Sequence, residues 1–348
     1  MGDDVFKLIC TVGPACQGRA VLRQMEGLGA TLFRINLSHT PLEDLEPLAR
    51  EIRAATEVPI CLDTEGAQVR TGRMLGGSVD LKAGQTLELA QEATVGTTDR
   101  IPLYPPGALS LLEPGMLLRV DFDTCVLRVL SRDGAGCRAE VLEPGRIGSN
   151  KGVAVSAELG LPPLTEKDRR AIAVAHRLGI RFYSESFCSN GAAVRLLRER
   201  VGRDSCILAK IENRPALVHL EEILMESDAL LVDRGDLSHS VAVEEIPAIQ
   251  KWVVSRAHAR SKPVYVATNL LESMVELPYP TRAEVNDIAN TLLDGADGLV
   301  LAAETAIGKY PVECVRMTMR LIRRYQGLGG KVNPAVFEEL ARRSTEVP

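Results

Sequence analysis

CILAKIEN, residues 206–213, is an apolar run that ends in two charges, and its reading sets that of the whole chain. Strand side chains alternate faces, so Lys210 and Glu212, two positions apart, point the same way at the end of a strand. The neighbouring residues are nearly all apolar, so both charges are expected to be buried and to need partners. The pair suits phosphoryl transfer. A carboxylate can hold a divalent cation while the ammonium beside it offsets charge developing on a moving phosphoryl group.

The same pattern, an apolar strand followed by one polar group, recurs along the chain. ALLVDRGD at 229–236 places Gly235 and Asp236 just past a strand, where glycine lets backbone approach an anion and the aspartate offers a second hard oxygen ligand. PVYVATN at 263–269 ends with Thr268, and GLVLAAET at 298–305 ends with Glu304, which is expected to brace the site through hydrogen bonds. KLICTVG (7–13), TLFRINLS (31–38), PICLDT (59–64) and IRFYSES (180–186) complete eight strand candidates. Charged, Ala/Leu-rich helical stretches separate most of them. Near-continuous apolar strands alternating with helices predict a parallel sheet covered on both faces, and eight units predict an α/β fold of the (β/α)8 TIM-barrel type. Its active site would lie at the C-terminal strand ends, where these polar residues fall. A doubly wound open sheet would need a glycine-rich phosphate turn after the first strand, and TVGPAC has none.

One segment breaks the rhythm. Between Gln68 and Lys151 the helical period gives way to short alternating stretches such as LKAGQTLELA and CRAEVLE, separated by Gly, Pro and Asp turn signals. The expected organisation is a barrel over 1–67 and 152–328, a small all-β domain over 68–151 inserted after the third strand, and a C-terminal helical tail over 329–348. An insertion hinged at two nearby crossings can act as a lid.

Composition sets the class. A chain of 348 residues with 45% hydrophobic content can bury a barrel core and one small domain. Its net charge of −5 and lack of a basic run speak against nucleic acid or a membrane surface as partner. The N-terminus lacks an apolar signal core and no segment reaches membrane-span length, so a cytoplasmic location is expected. Eight scattered cysteines without C-x-x-C or metal spacing match a reducing compartment.

The chain resembles pyruvate kinase over nearly its whole length. KLICTVGPAC (Lys7 to Cys16), FRINLSHT (Phe33 to Thr40), LDTEGAQVRTG (Leu62 to Gly72), LAKIEN (Leu208 to Asn213), DRGDL (Asp233 to Leu237) and the long block from Val266 to Glu313 are similar to that family's motifs. The resemblance implies that Lys210 stabilises the transferring phosphoryl group, that Glu212 and Asp236 hold magnesium, and that Arg34 contacts the phosphate. It implies a potassium site of hard oxygens on Asn36, Ser38, Asp63 and Thr64. Arg70, Lys151 and Asn36 would serve the nucleotide, Thr268 would sit by the enolpyruvate methylene, and the Gly235 and Asp236 amides would hold the carboxylate. Phosphoenolpyruvate or pyruvate and an adenine nucleotide would be the small-molecule partners. The chain stops after FEELARR, a stretch resembling the helix that leads into the family's regulatory domain, so sugar-phosphate control through that domain is not expected. A homo-oligomer, formed through the apolar face of that helix, is.

Departures cluster on one half of the site. Glu65 stands where the family has lysine, Gln68 where it has glutamate and Ala302 where it has serine. Ser189, Asn190, Asn269, Phe122, Ser238 and His239 also differ from the pattern. At an effective dielectric of about 20 and a separation of about 8 Å, each mouth charge is worth roughly 2 kcal/mol against a phosphate. Three readings follow. The first is phosphoryl transfer between phosphoenolpyruvate and ADP. The second is a repurposed enzyme using the metal site on phosphoenolpyruvate or another 2-oxo acid for C–C cleavage or transfer to a non-nucleotide acceptor. The third is a non-catalytic binding protein, against which the complete lysine, glutamate and aspartate set argues.

Overall fold

A computed structural model describes residues 7–325 apart from 92–93, 106, 122–123, 134–135 and 158. The expected tail over 329–348, with the homo-oligomer inferred from it, and Phe122 lie outside the described residues. Two compact units divide at Thr64/Glu65 and at Glu166/Lys167.

The first unit holds all eight strand candidates. They are β1 (Leu8–Thr11), β2 (Leu32–Asn36), β3 (Ile60–Asp63) and, after nine strands of the second unit, β13 (Phe182–Glu185), β14 (Cys206–Ile211), β15 (Ala229–Asp233), β16 (Val264–Ala267) and β17 (Gly298–Leu301). They close in the order β1-β17-β16-β15-β14-β13-β3-β2, every pair parallel. Ile9, Leu32, Cys61, Leu208, Leu231, Tyr265 and Val300 form one buried cluster contributed by seven of the eight strands, as a packed barrel interior requires. The helix Leu42–Ala55 buries Leu45, Leu48, Ala49 and Ile52, the spacing of a single apolar stripe. Thr281 and Glu284 form a reciprocal capping box that starts the helix Arg282–Leu293. Register then fixes the site: Asn36 pairs with Asp63, Ile211 with Val232 and Asp233 with Ala267, so the polar ends of five strands share one rim.

The second unit is a small closed sheet. It contains β4 (Val69–Thr71), β5 (Ser78–Leu81), β6 (Thr86–Gln91), β7 (Arg100–Tyr104), β8 (Leu117–Val120), β9 (Cys125–Asp133), β10 (Gly136–Glu143), β11 (Gly145–Gly148) and β12 (Gly152–Val155). Seven of these close as β10-β6-β7-β4-β12-β8-β9, and β11 pairs with β5. Leu87, Leu89, Ile101, Leu118, Leu127 and Val129 give it a core of its own. Strand β12 bonds to β4 and β8, so the unit runs beyond residue 151, where the turn signals ended it. Among the described residues no helix is long and apolar enough to cross a membrane.

Candidate active site

Lys210 is the centre of the site. Its ammonium lies 2.8 Å from Glu212 Oε2 and 3.1 Å from Asp233 Oδ2, and its side chain is buried. Burial alone would lower the lysine pKa. Glu212, Asp63, Asp233 and Asp236 reverse that and hold it well above its usual value, so the group is a fixed ammonium. Ser186 Oγ accepts from Lys210 at 3.4 Å and donates to Asp63 Oδ1 at the same distance, linking β13 to its neighbours.

The carboxylates gather on one side of this cation. Glu212, Asp233 and Asp236 each present an oxygen within 4.8 Å of the others. Glu212 is wholly buried. Burial pushes its carboxyl up, Lys210 pulls it down, and Asp236 and Asp233 push it up again, to about 8. Its Oε1 accepts the backbone N–H of Phe187, a residue held at φ 53°, while Oε2 accepts no hydrogen bond and meets Lys210 only as an ion pair. Three converging hard carboxylate oxygens fit a divalent cation.

Arg34, midway along β2, is equally fixed. Its Nε donates to Thr11 Oγ1 at 2.9 Å and its Nη1 lies 3.4 Å from Asp63. The C-terminal ends of β2 and β3 supply the other oxygens named from the sequence. Asn36 Oδ1 accepts Ser38 N–H at 2.9 Å, and Thr64 Oγ1 accepts Ser186 N–H at 3.0 Å and donates to Ser184 O. With Asp63 these are oxygen donors of mixed charge, and all four residues lie at or just past the ends of two paired strands. Lys167 brings a further ammonium to the loop after β2 by donating to Leu37 O.

Thr268 sits at φ 76°, a left-handed conformation that costs a β-branched residue strain. Its hydroxyl donates to Asp233 Oδ1 and lies 3.3 Å from the Gly235 amide. Gly235 must be glycine here, because a Cβ would stand 2.8 Å from Thr268 Cγ2. Arg234 holds the Thr268 carbonyl at 2.8 Å and binds Asp287 of the helix Arg282–Leu293 through two nitrogens. Glu304 accepts the N–H groups of Leu271 and Ala302, so it ties two strand-end loops together.

Arg70 and Lys151 belong to the second unit. Arg70 Nη1 donates to Asn150 O at 3.2 Å, and Lys151 Nζ lies 3.0 Å from Asp121. Glu65 corrects an expectation. Its motif presents it as a free charge at a mouth, yet it is 7% exposed and its Oε2 accepts from Tyr104 OH at 3.1 Å and Thr165 Oγ1 at 3.4 Å. A local motif carries no information on burial depth. Asp233, Ser186, Arg234 and Lys167 join the site without having been expected there from the sequence. The clearest signal for Asp233 is its place as the last residue of an apolar strand, the same signal that marks Glu212.

Residues 5–315 match the family model described as pyruvate kinase, barrel domain. The chain belongs to the pyruvate kinase family. It is 35% identical over 330 residues to a pyruvate kinase of Bacillus licheniformis, covering 91% of this chain and 56% of that protein. A Thermotoga maritima pyruvate kinase is 34% identical over 326 residues, covering 91% and 70%. One from Corynebacterium glutamicum is 36% identical over 331 residues, covering 92% and 70%. The chain therefore spans between 56% and 70% of the length of these curated relatives. Pyruvate kinase kinship does not favour the reading in which the site performs other chemistry.

Proposed function

We propose that this chain transfers a phosphoryl group between phosphoenolpyruvate and ADP, giving pyruvate and ATP. The observation that carries the reading is Lys210: a permanently charged ammonium, buried, 2.8 Å from Glu212 and beside a carboxylate group fit for a hard cation. Glu212 and Asp236 would hold magnesium, and Asn36, Ser38, Asp63 and Thr64 would hold potassium. Bound there, the cations neutralise phosphoryl and carboxylate oxygens and polarise the enolate.

The chain's own groups do the rest. Arg34, immobilised by Thr11 and Asp63, meets the phosphoryl group with a preset guanidinium and loses little freedom on binding it. Lys210 offsets charge that grows as the phosphoryl group leaves the enolate oxygen. The Gly235 and Asp236 amides, carried by the short helix Arg234–Leu237, would hold the substrate carboxylate. Thr268 presents a hydroxyl to the methylene that gains a proton. Arg70, Lys151 and Asn36 are assigned to the nucleotide. Eight free cysteines, seven of them buried, accord with a cytoplasmic enzyme.

The test is a direct assay of the native protein with phosphoenolpyruvate, ADP, magnesium and potassium. Pyruvate and ATP formation is expected. No turnover with metal-dependent oxalate binding intact would assign the site to other chemistry, and loss of both would leave a non-catalytic protein.

A further inference from the structure

We propose that Asp233 is a third carboxylate ligand of the divalent cation held by Glu212 and Asp236, so that the cation is resident before any substrate arrives. The inference rests on the metal-dependent reading above and adds a residue to it.

Geometry comes first. Hard cations hold oxygens at about 2.0 to 2.6 Å, so two ligands of one ion lie at most about 5 Å apart. The nearest oxygens of Glu212, Asp233 and Asp236 meet that limit, all within 4.8 Å of one another. Asp233 is also preset. It is the last residue of β15, in register with Ala267, and its Oδ1 takes the Thr268 hydroxyl while its Oδ2 faces Lys210 at 3.1 Å. Each carboxylate oxygen keeps a second lone pair for a cation. Glu212 is fully buried in this cluster, its Oε1 on the Phe187 N–H and its Oε2 facing only the Lys210 ammonium at 2.8 Å, so Oε2 too keeps a lone pair for a cation.

Charge gives the direction. Three carboxylates surround one ammonium here, and the nearby guanidinium of Arg34 is already paired with Asp63 at 3.4 Å. Burying surplus charge is costly unless a counter-charge accompanies it, and a divalent cation is the counter-charge of matching size. Magnesium is usually held by one or two protein carboxylates and completes its shell with substrate oxygens. A third protein carboxylate changes that order: metal affinity no longer waits for substrate, and a phosphorylated substrate meets a site whose negative charge the ion has already balanced.

The test is manganese binding to the substrate-free full chain, read from the electron paramagnetic resonance of free ion. The native protein is expected to bind one ion, and Asp233→Ala to bind it about tenfold more weakly or worse. Asp233→Asn keeps an acceptor for the Thr268 hydroxyl and so preserves the local fold; it is expected to show most of the same loss, and it decides the question if the alanine variant does not fold. Both variants are repeated on a Lys210→Met background, where a ligand still weakens the metal on removal but a mere counter-ion of Lys210 does not. Equal affinity in native and variant proteins, or a loss that vanishes without Lys210, overturns the proposal. A native protein that binds no manganese overturns instead the metal reading beneath it.

Discussion

Arg234 grips Asp287 through two bonds of 2.8 Å and turns one of the same nitrogens to the carbonyl of Thr268, also at 2.8 Å. A left-handed threonine, whose hydroxyl serves the site, is thus held by a fork anchored on a helix. Only a planar guanidinium makes both contacts at once. Arg234→Lys is therefore expected to lower turnover by about ten- to a hundredfold through misplacement of Thr268, while metal-dependent oxalate binding changes little. Steady-state kinetics beside an oxalate titration check it. An unchanged turnover removes the clamp.

Packing around the same threonine gives a second prediction. A Cβ at Gly235 would lie 2.8 Å from Thr268 Cγ2, so Gly235→Ala is expected to cost about 1 to 3 kcal/mol of stability by overpacking. Thr268→Ser deletes that methyl group, and the double variant should regain most of the loss in urea unfolding. Additive losses would place the strain elsewhere.

Glu185 predicts a pH dependence. It ends β13 fully buried, and neither carboxylate oxygen has a hydrogen-bond partner. Burial pushes its carboxyl from 4.5 up to about 8, against an opposing pull from the Cys188 thiol. The folded state keeps the proton in this window while the unfolded state releases it. Stability contributed by Glu185 is accordingly intact below the unfolded value and lost as pH rises through it toward the folded one, at up to about 1.4 kcal/mol per unit. Urea midpoints of native protein should fall between about pH 5 and pH 8, and those of Glu185→Gln should fall less. Parallel profiles for the two proteins would refute the assignment.

Lys210 separates binding from chemistry. Lys210→Met should reduce turnover roughly a thousandfold, since the ammonium acts on charge that develops only during transfer. Because the change also removes a positive charge 2.8 Å from Glu212, divalent-cation affinity should hold or increase. Calorimetric metal titration decides, and a joint fall in metal binding and turnover would make Lys210 a structural counter-ion.

The strands of the barrel are legible in the sequence because apolar runs and polar ends are local signals, and CILAKIEN alone carries the central ammonium and one of the carboxylates beside it. Depth is not legible. Glu65 reads as a mouth charge in its motif, yet Tyr104, from a strand far along the chain, buries it. Arg234 and Asp287 stand 53 positions apart, so nothing near either one announces the other. Asp233 carries the right signal but competes with Asp236 beyond the turn; only the folded placement of their side-chain oxygens shows both reaching one point.

The pairing that closes the barrel also orders its making. Leu8 of β1 lies beside Leu299 of β17, so the barrel strand made earliest bonds to the barrel strand made last. Until residues near Leu301 leave the ribosome, β1 keeps one unpaired edge, a template for wrong partners. The small unit of Glu65–Glu166 is contiguous and has its own core, so it can be complete while five of the eight barrel strands are still unmade. Nascent chains halted shortly after Glu166 should therefore protect this unit from protease while leaving β1 to β3 open to cleavage.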